Sequence, residues 1–147
     1  MSSEPRPAPF RIAVIDDDAV FLELMQDLLG AGEGYEVVTS AEWVDSFVFI
    51  KETQPDLVIL DLMMGREQTG WAILELLRED PATRDVPVIL CSAATPALDK
   101  HADRLTQGRV SALAKPFDVE KLVGEVDRLL KSRATASETT ELTLPSH

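Results

Sequence analysis

Five short runs of apolar residues alternate with five segments of helical period along this chain, and that alternation constrains its fold more than any other feature. The runs are Arg11–Ile15, Tyr35–Thr39, Asp56–Leu60, Val86–Cys91 and Val110–Ala114. Leu57-Val58-Ile59-Leu60 and Val88-Ile89-Leu90-Cys91 are apolar at consecutive positions, whereas a strand with one wet face would alternate, so these strands need cover on both sides. The first intervening segment carries Phe21, Leu22, Leu24, Met25, Leu28 and Leu29, and the last carries Val119, Leu122, Val123, Val126, Leu129 and Leu130, both near the i, i+3, i+4, i+7 spacing of a one-sided helix. Thr95-Pro96 predicts the start of the fourth helix, and Asp118 caps the fifth. Strict alternation of strand and helix implies right-handed crossovers between parallel strands: an α/β domain with a doubly wound five-stranded parallel sheet and helices on both faces. Ligands of such sheets bind beyond the carboxyl ends of the strands.

Composition bounds what that domain can do. With 26 acidic against 14 basic residues the formal charge is −12, which disfavours nucleic acid and anionic membranes as partners, because phosphate contacts need clustered Lys and Arg. A single cysteine, Cys91, cannot close an internal disulfide and points to a cytoplasmic, reducing compartment. Residues 1–9, with three prolines, and 132–147, with seven Ser or Thr and no apolar stripe, are expected to be disordered tails around a domain at 10–131.

The strand ends carry the chemistry. The first strand is followed by Asp16-Asp17-Asp18, the third by Asp61, the fourth by Ser92 and the fifth by Lys115-Pro116. Carboxylates converging on one rim repel one another unless a cation neutralises them. Mg²⁺ suits one or two carboxylates plus waters and a phosphate oxygen, and the absence of His and Cys from the set argues against zinc. An Asp carboxylate can attack phosphorus and form an acyl phosphate, while Lys115 and the Ser92 hydroxyl would neutralise the equatorial oxygens.

Through Ile-Asp16-Asp17-Asp18, Leu-Asp61-Leu-Met-Met, Leu-Cys-Ser92-Ala and Ala-Lys115-Pro116-Phe117, the chain resembles the response-regulator receiver domains of two-component signalling, whose fold is flavodoxin-like (βα)5. The resemblance implies that Asp61 is the phosphoacceptor, Asp17 a direct Mg²⁺ ligand and Asp16 a ligand largely through water. It further implies that the Met63 carbonyl completes the metal site, Ser92 is the switch hydroxyl and Lys115 binds the phosphoryl group. A histidine kinase or phosphotransfer protein would be the donor, a downstream protein the reader, and the Lys115-Pro116 bond often cis. Self-phosphorylation and its reversal would be the only chemistry, with no DNA-binding output domain and a monomer or weak homodimer as the assembly.

Two other readings compete. Asp16-Asp17-Asp18-Ala19-Val20 also satisfies the Asp-x-Asp-x-Val motif of haloacid-dehalogenase-type phosphatases, with Asp16 as nucleophile and Asp18 as general acid, but the chain lacks that family's closing acidic pair at a strand end and leaves Asp61 unexplained. The third reading is a phosphorylation-independent adaptor. In the second helix, read as Ala41–Glu52, Trp43, Phe47 and Ile50 share a face with Val44 and Val48 beside them, while Phe49 falls on the side of Asp45 and Glu52.

The receiver pattern is also broken in places. The loop after Asp61 has Gly65 where proline is usual and one extra residue in Met64–Thr69 before Gly70. Ala112 replaces the usual aromatic three positions before the lysine, so no ring can swing inward on activation. Met63 and Ala94, which line the path of an attacking water, cannot orient it. The phosphorylated form is therefore expected to persist after the donor is removed, as followed by intact mass; loss of the phosphoryl group within seconds would overturn this.

Overall fold

A computed structural model describes residues 9–42, 44–62, 69–92, 110–115 and 118–143, with the backbone alone for Thr69, Ser92 and residues 132–143. The strands are β1 (Arg11–Ile15), β2 (Glu36–Ser40), β3 (Leu57–Asp61), β4 (Val88–Ser92) and β5 (Val110–Ala114). The helices are α1 (Ala19–Met25), α2 (Ser46–Thr53), α3 (Thr69–Glu79) and α4 (Val119–Thr143). All strand pairs are parallel and the order is β2-β1-β3-β4-β5. The helix expected from Thr95-Pro96 lies outside the described residues, as do Trp43, Ala94, the loop at 63–68 and the Lys115-Pro116 bond.

Side chains of successive strand residues point to opposite faces, so the uninterrupted apolar runs feed two cores at once. On one face Ala13, Ile15, Val58, Leu60, Val88 and Leu90 pack against Ile50 of α2 and Trp71, Ile73, Leu74 and Leu77 of α3. On the other, Ile12, Val14, Leu57, Ile59, Ile89, Cys91 and Leu113 meet Met25 and Leu29 together with Leu122, Val126, Leu129 and Leu130 of α4. Met25 ends α1, and Leu29 lies in the widened, π-helical segment over Gln26–Gly32 into which α1 continues without a break.

Backbone pairing carries β3 and β4 one residue beyond their apolar runs. Asp61 is in register with Cys91, and Ser92 with Ala114. Both polar residues therefore belong to the sheet and not to the loops that follow, which fixes their backbones.

Three sequence expectations need correction. The second helix begins at Ser46, not Ala41, and its inward face is Ser46, Phe49, Ile50 and Thr53, an i, i+3, i+4, i+7 set with hydroxyls at both ends. Those hydroxyls are satisfied locally, Ser46 Oγ donating to the Glu42 carbonyl at 2.6 Å and Thr53 Oγ1 to that of Phe49 at 2.8 Å. Phe49 thus packs against the core together with Phe47 and Ile50, which the sequence placed there, while Val44 and Val48 are exposed. The third correction is at the C-terminus, where α4 runs on to Thr143. Segment 132–143 lacks the apolar stripe that would betray a packed helix, but it also lacks Gly and Pro, and Ala134, Ala136, Glu138 and Glu141 have high helix propensity.

α3 sits directly on the end of β3 through Gly70. Its amide donates to the Leu62 carbonyl at 2.9 Å, and a Cβ at this position would lie 2.5 Å from the Asp61 carbonyl oxygen and 2.6 Å from the Leu62 Cα. In an open helix Gly→Ala gains about 1 kcal/mol of propensity, but a clash with sheet backbone cannot be relieved by a side-chain rotation. Gly70→Ala should therefore destabilise the fold by about 1–3 kcal/mol, measured by urea unfolding; an unchanged or raised midpoint would contradict the contact.

Candidate functional site

The chain leaves β1 toward β2 on one side and later places β3 on the other, so the winding reverses between β1 and β3. Such a reversal opens a crevice at the carboxyl ends of the two strands. Asp16 follows β1 and Asp61 ends β3, and both are buried, at 1% and 7% exposure. Asp17 is exposed beside them, and oxygens of Asp16, Asp17 and Asp61 lie within 4.8 Å of one another.

Asp16 is held from three directions. Its amide donates to the Ser40 carbonyl at 3.1 Å, extending the β1–β2 ladder. Its Oδ1 accepts from the Asp18 amide at 2.9 Å, and its Oδ2 accepts from Lys115 Nζ at 2.6 Å. Asp18 turns away from the cluster: its Oδ1 accepts from the amides of Val20 and Phe21 at 3.0 and 3.4 Å, capping α1.

Lys115 follows β5, yet its ammonium reaches Asp16 at 2.6 Å and stands 3.9 Å from Asp61 Oδ2. Burial is the largest influence on this lysine and by itself lowers its pKa, but the hydrogen bond to Asp16 and the charges of Asp16 and Asp61 outweigh it, raising the pKa above the ordinary 10.5. The ammonium is therefore permanently charged at neutral pH. Three carboxylates against one ammonium leave the rim with two excess negative charges, which one divalent cation balances. The donors are hard oxygens throughout, so the set fits Mg²⁺. The structure thus gathers Asp16, Asp17, Asp61 and Lys115 as the sequence predicts. Ser92 closes β4 opposite Ala114, one residue before Lys115, although its hydroxyl falls outside the described residues, as does Met63.

The sequence reading missed Phe21, which it counted only as a core residue. The ring lies under Lys115, with Nζ 4.4 Å from its centroid. The available signal was its position in the first turn of α1, three residues after the capping Asp18.

This arrangement coincides with a family. The family model for the response regulator receiver domain matches residues 12–127, and the chain belongs to that family, the phosphate-accepting module of two-component systems. It is 34% identical over 121 residues to the DNA-binding dual master transcriptional regulator RpaA of Synechocystis sp., a match covering 82% of this chain and 49% of that protein. It is 33% identical over 131 residues to the response regulator PleD of Caulobacter vibrioides, covering 87% of this chain and 28% of that one. The chain therefore spans about half or less of the length of these curated relatives. Among solved structures, a response regulator receiver domain protein from Clostridium thermocellum superposes with a TM-score of 0.75 at 24% identity, covering 86% of this chain and 98% of that one, a likeness of fold. The family match decides against the haloacid-dehalogenase reading, and the capping of α1 by Asp18 agrees, since it occupies the carboxylate that reading needs as general acid. No helix among the described residues is long and apolar enough to cross a membrane.

Beneath the cluster lies Cys91, fully buried, whose thiol is pushed up from an ordinary 9.0 to about 12, chiefly by burial, with Lys115 pulling the other way and Asp16 and Asp61 adding to the rise. The native state holds this proton where the unfolded chain would release it, so its contribution to stability is full below pH 9 and is lost as pH climbs toward 12. Between these values wild type should lose up to about 1.4 kcal/mol per pH unit relative to Cys91→Ala, measured by urea unfolding at each pH; parallel curves would contradict the burial of the thiol.

Proposed function

We propose that this receiver is a phosphoacceptor switch in which Asp61 takes a phosphoryl group from a histidine kinase or phosphotransfer protein and a downstream protein reads the result. The observation that carries the reading is the position of Asp61: sheet-fixed, at the winding reversal, 3.9 Å from the Lys115 ammonium and within the acidic cluster. A carboxylate oxygen of Asp61 attacks the donor phosphorus. The new P–O bond forms as the P–N bond of the donor phosphohistidine breaks, and the electron pair returns to the imidazole nitrogen. Lys115 shifts its hydrogen bond from Asp16 toward the transferred group and offsets its charge, with the Ser92 hydroxyl as a second donor. Asp16 and Asp17, with Asp61 and the Met63 carbonyl, would hold Mg²⁺, which when bound supplies charge neutralisation at the phosphoryl oxygens. Lys115 fixes the Asp16 carboxylate in advance, so little reorganisation is needed when the metal is taken up.

We take residues 10–131 as the signalling unit and place it in the cytoplasm, as a monomer or weak homodimer; Asp99, Lys100, Asp103, Arg104 and Arg109, the residues expected on a pairing surface, lie outside the described residues. Ala112 is half-buried beside Leu90, with no ring to rotate, so the change at Asp61 would leave through backbone movement after β4. The deciding experiment is incubation with acetyl phosphate and Mg²⁺ followed by intact mass. Wild type should gain one phosphoryl group, Asp61→Asn none, and Lys115→Ala should be phosphorylated at least about tenfold more slowly. An adduct that survives Asp61→Asn, or no adduct on wild type at any Mg²⁺ concentration, would overturn the reading, and the second result would favour the adaptor.

A further inference from the structure

Lys115 faces a conflict that the site geometry makes explicit. Its shortest contact is to Asp16 at 2.6 Å, whereas the oxygen next to which a phosphoryl group would arrive, Asp61 Oδ2, is 3.9 Å away and beyond hydrogen-bonding reach. To serve Asp61 the ammonium must shift away from its shortest contact, and a flexible lysine loosened in this way would drift toward water. We propose that Phe21 is the positioning residue that prevents this: its ring holds the Lys115 ammonium at the rim by a contact that uses no hydrogen-bond donor, so the ammonium can pass from Asp16 to a phosphoryl group on Asp61 without leaving the site.

The geometry fits that role. Nζ lies 4.4 Å from the ring centroid, well inside the reach of a cation–π contact. The ring itself cannot follow the ammonium. Phe21 is half-buried against the core formed with Met25, Leu29 and Leu122, and its amide is tied to the capping Asp18 at 3.4 Å. Attraction to a ring face depends weakly on how the ammonium is rotated, unlike a hydrogen bond, so it persists while the N–H groups exchange partners. The pair of Lys51 and Phe47 shows the ordinary surface case for comparison. There Nζ is 5.5 Å from the centroid, and 43% of the lysine side chain is exposed against 22% for Lys115. A leucine at position 21 would fill most of the same volume but offers no negative face.

The inference rests on the phosphoacceptor reading, and its test separates the two. In metal-free protein the Lys115 Cε protons should show an upfield ring-current shift in wild type and Phe21→Tyr that is absent from Phe21→Leu. With acetyl phosphate and Mg²⁺, Phe21→Leu should slow the initial phosphorylation of Asp61 by about three- to tenfold, the span of a cation–π contact at a half-buried site. Phe21→Tyr should restore the rate to within about twofold. Stepwise fluorination of the ring at position 21, which keeps its shape while draining its face of negative charge, should lower the rate in steps and carries the test if Phe21→Leu misfolds. A wild-type rate in the fluorinated series, or in a folded Phe21→Leu, would overturn the inference and reduce Phe21 to packing. If wild type gains no phosphoryl group, the phosphoacceptor reading falls, and an unchanged Lys115 shift in Phe21→Leu would show independently that the ring does not hold the ammonium.

Discussion

Everything at the rim depends on one ion pair between strand ends that are not neighbours. Lys115 follows β5 and Asp16 follows β1, with β3 and β4 between them in the sheet, yet Nζ and Oδ2 are 2.6 Å apart. The contact spans the mouth of the crevice and passes Asp61 on the way. Pairing a buried carboxylate offsets its desolvation, and a partner drawn from across the sheet also fixes the direction in which that carboxylate points. The remaining acids are then arranged around an Asp16 that cannot turn, which is what separates an organised cation site from three charges that happen to be close.

The structure keeps this charge at the surface of a dry floor. Cys91, Leu60 and Leu62 are fully buried beside it on the two sheet faces, and burial above all keeps the thiol protonated. The negative charge at the rim is met from the flank by Lys115, with the Phe21 ring beneath it, while the oxygens on the solvent side form a set that fits a divalent cation.

How much of this could be read from the sequence follows from which physical signals are local. Strand identity and the acidic rim were legible because consecutive apolar residues and the polar residues that end them are adjacent in the chain. The inward face of α2 was legible only in part, because Ser46 and Thr53 stand where apolar residues mark a stripe, and their hydroxyls are satisfied by backbone carbonyls four residues earlier. The extension of α4 beyond Lys131 was hidden for the opposite reason, since helix propensity without an apolar stripe leaves no periodic trace. Phe21 was seen but misjudged. Its spacing is that of a core residue and its packing is that of one, and only the approach of a lysine distant in sequence gives the ring a second role.

The contact between Gly70 and the peptide of Asp61 and Leu62 is stiff in one direction and elastic in the other. Close-packed backbone repels steeply on compression, whereas separation is resisted by dispersion and by the 2.9 Å hydrogen bond from the Gly70 amide to the Leu62 carbonyl. A displacement of the Asp61 peptide toward α3 must push the helix, while one of the same size away from it first stretches that hydrogen bond. The junction thus ties the carboxylate's own backbone to a helix on one face of the sheet more tightly in compression than in extension.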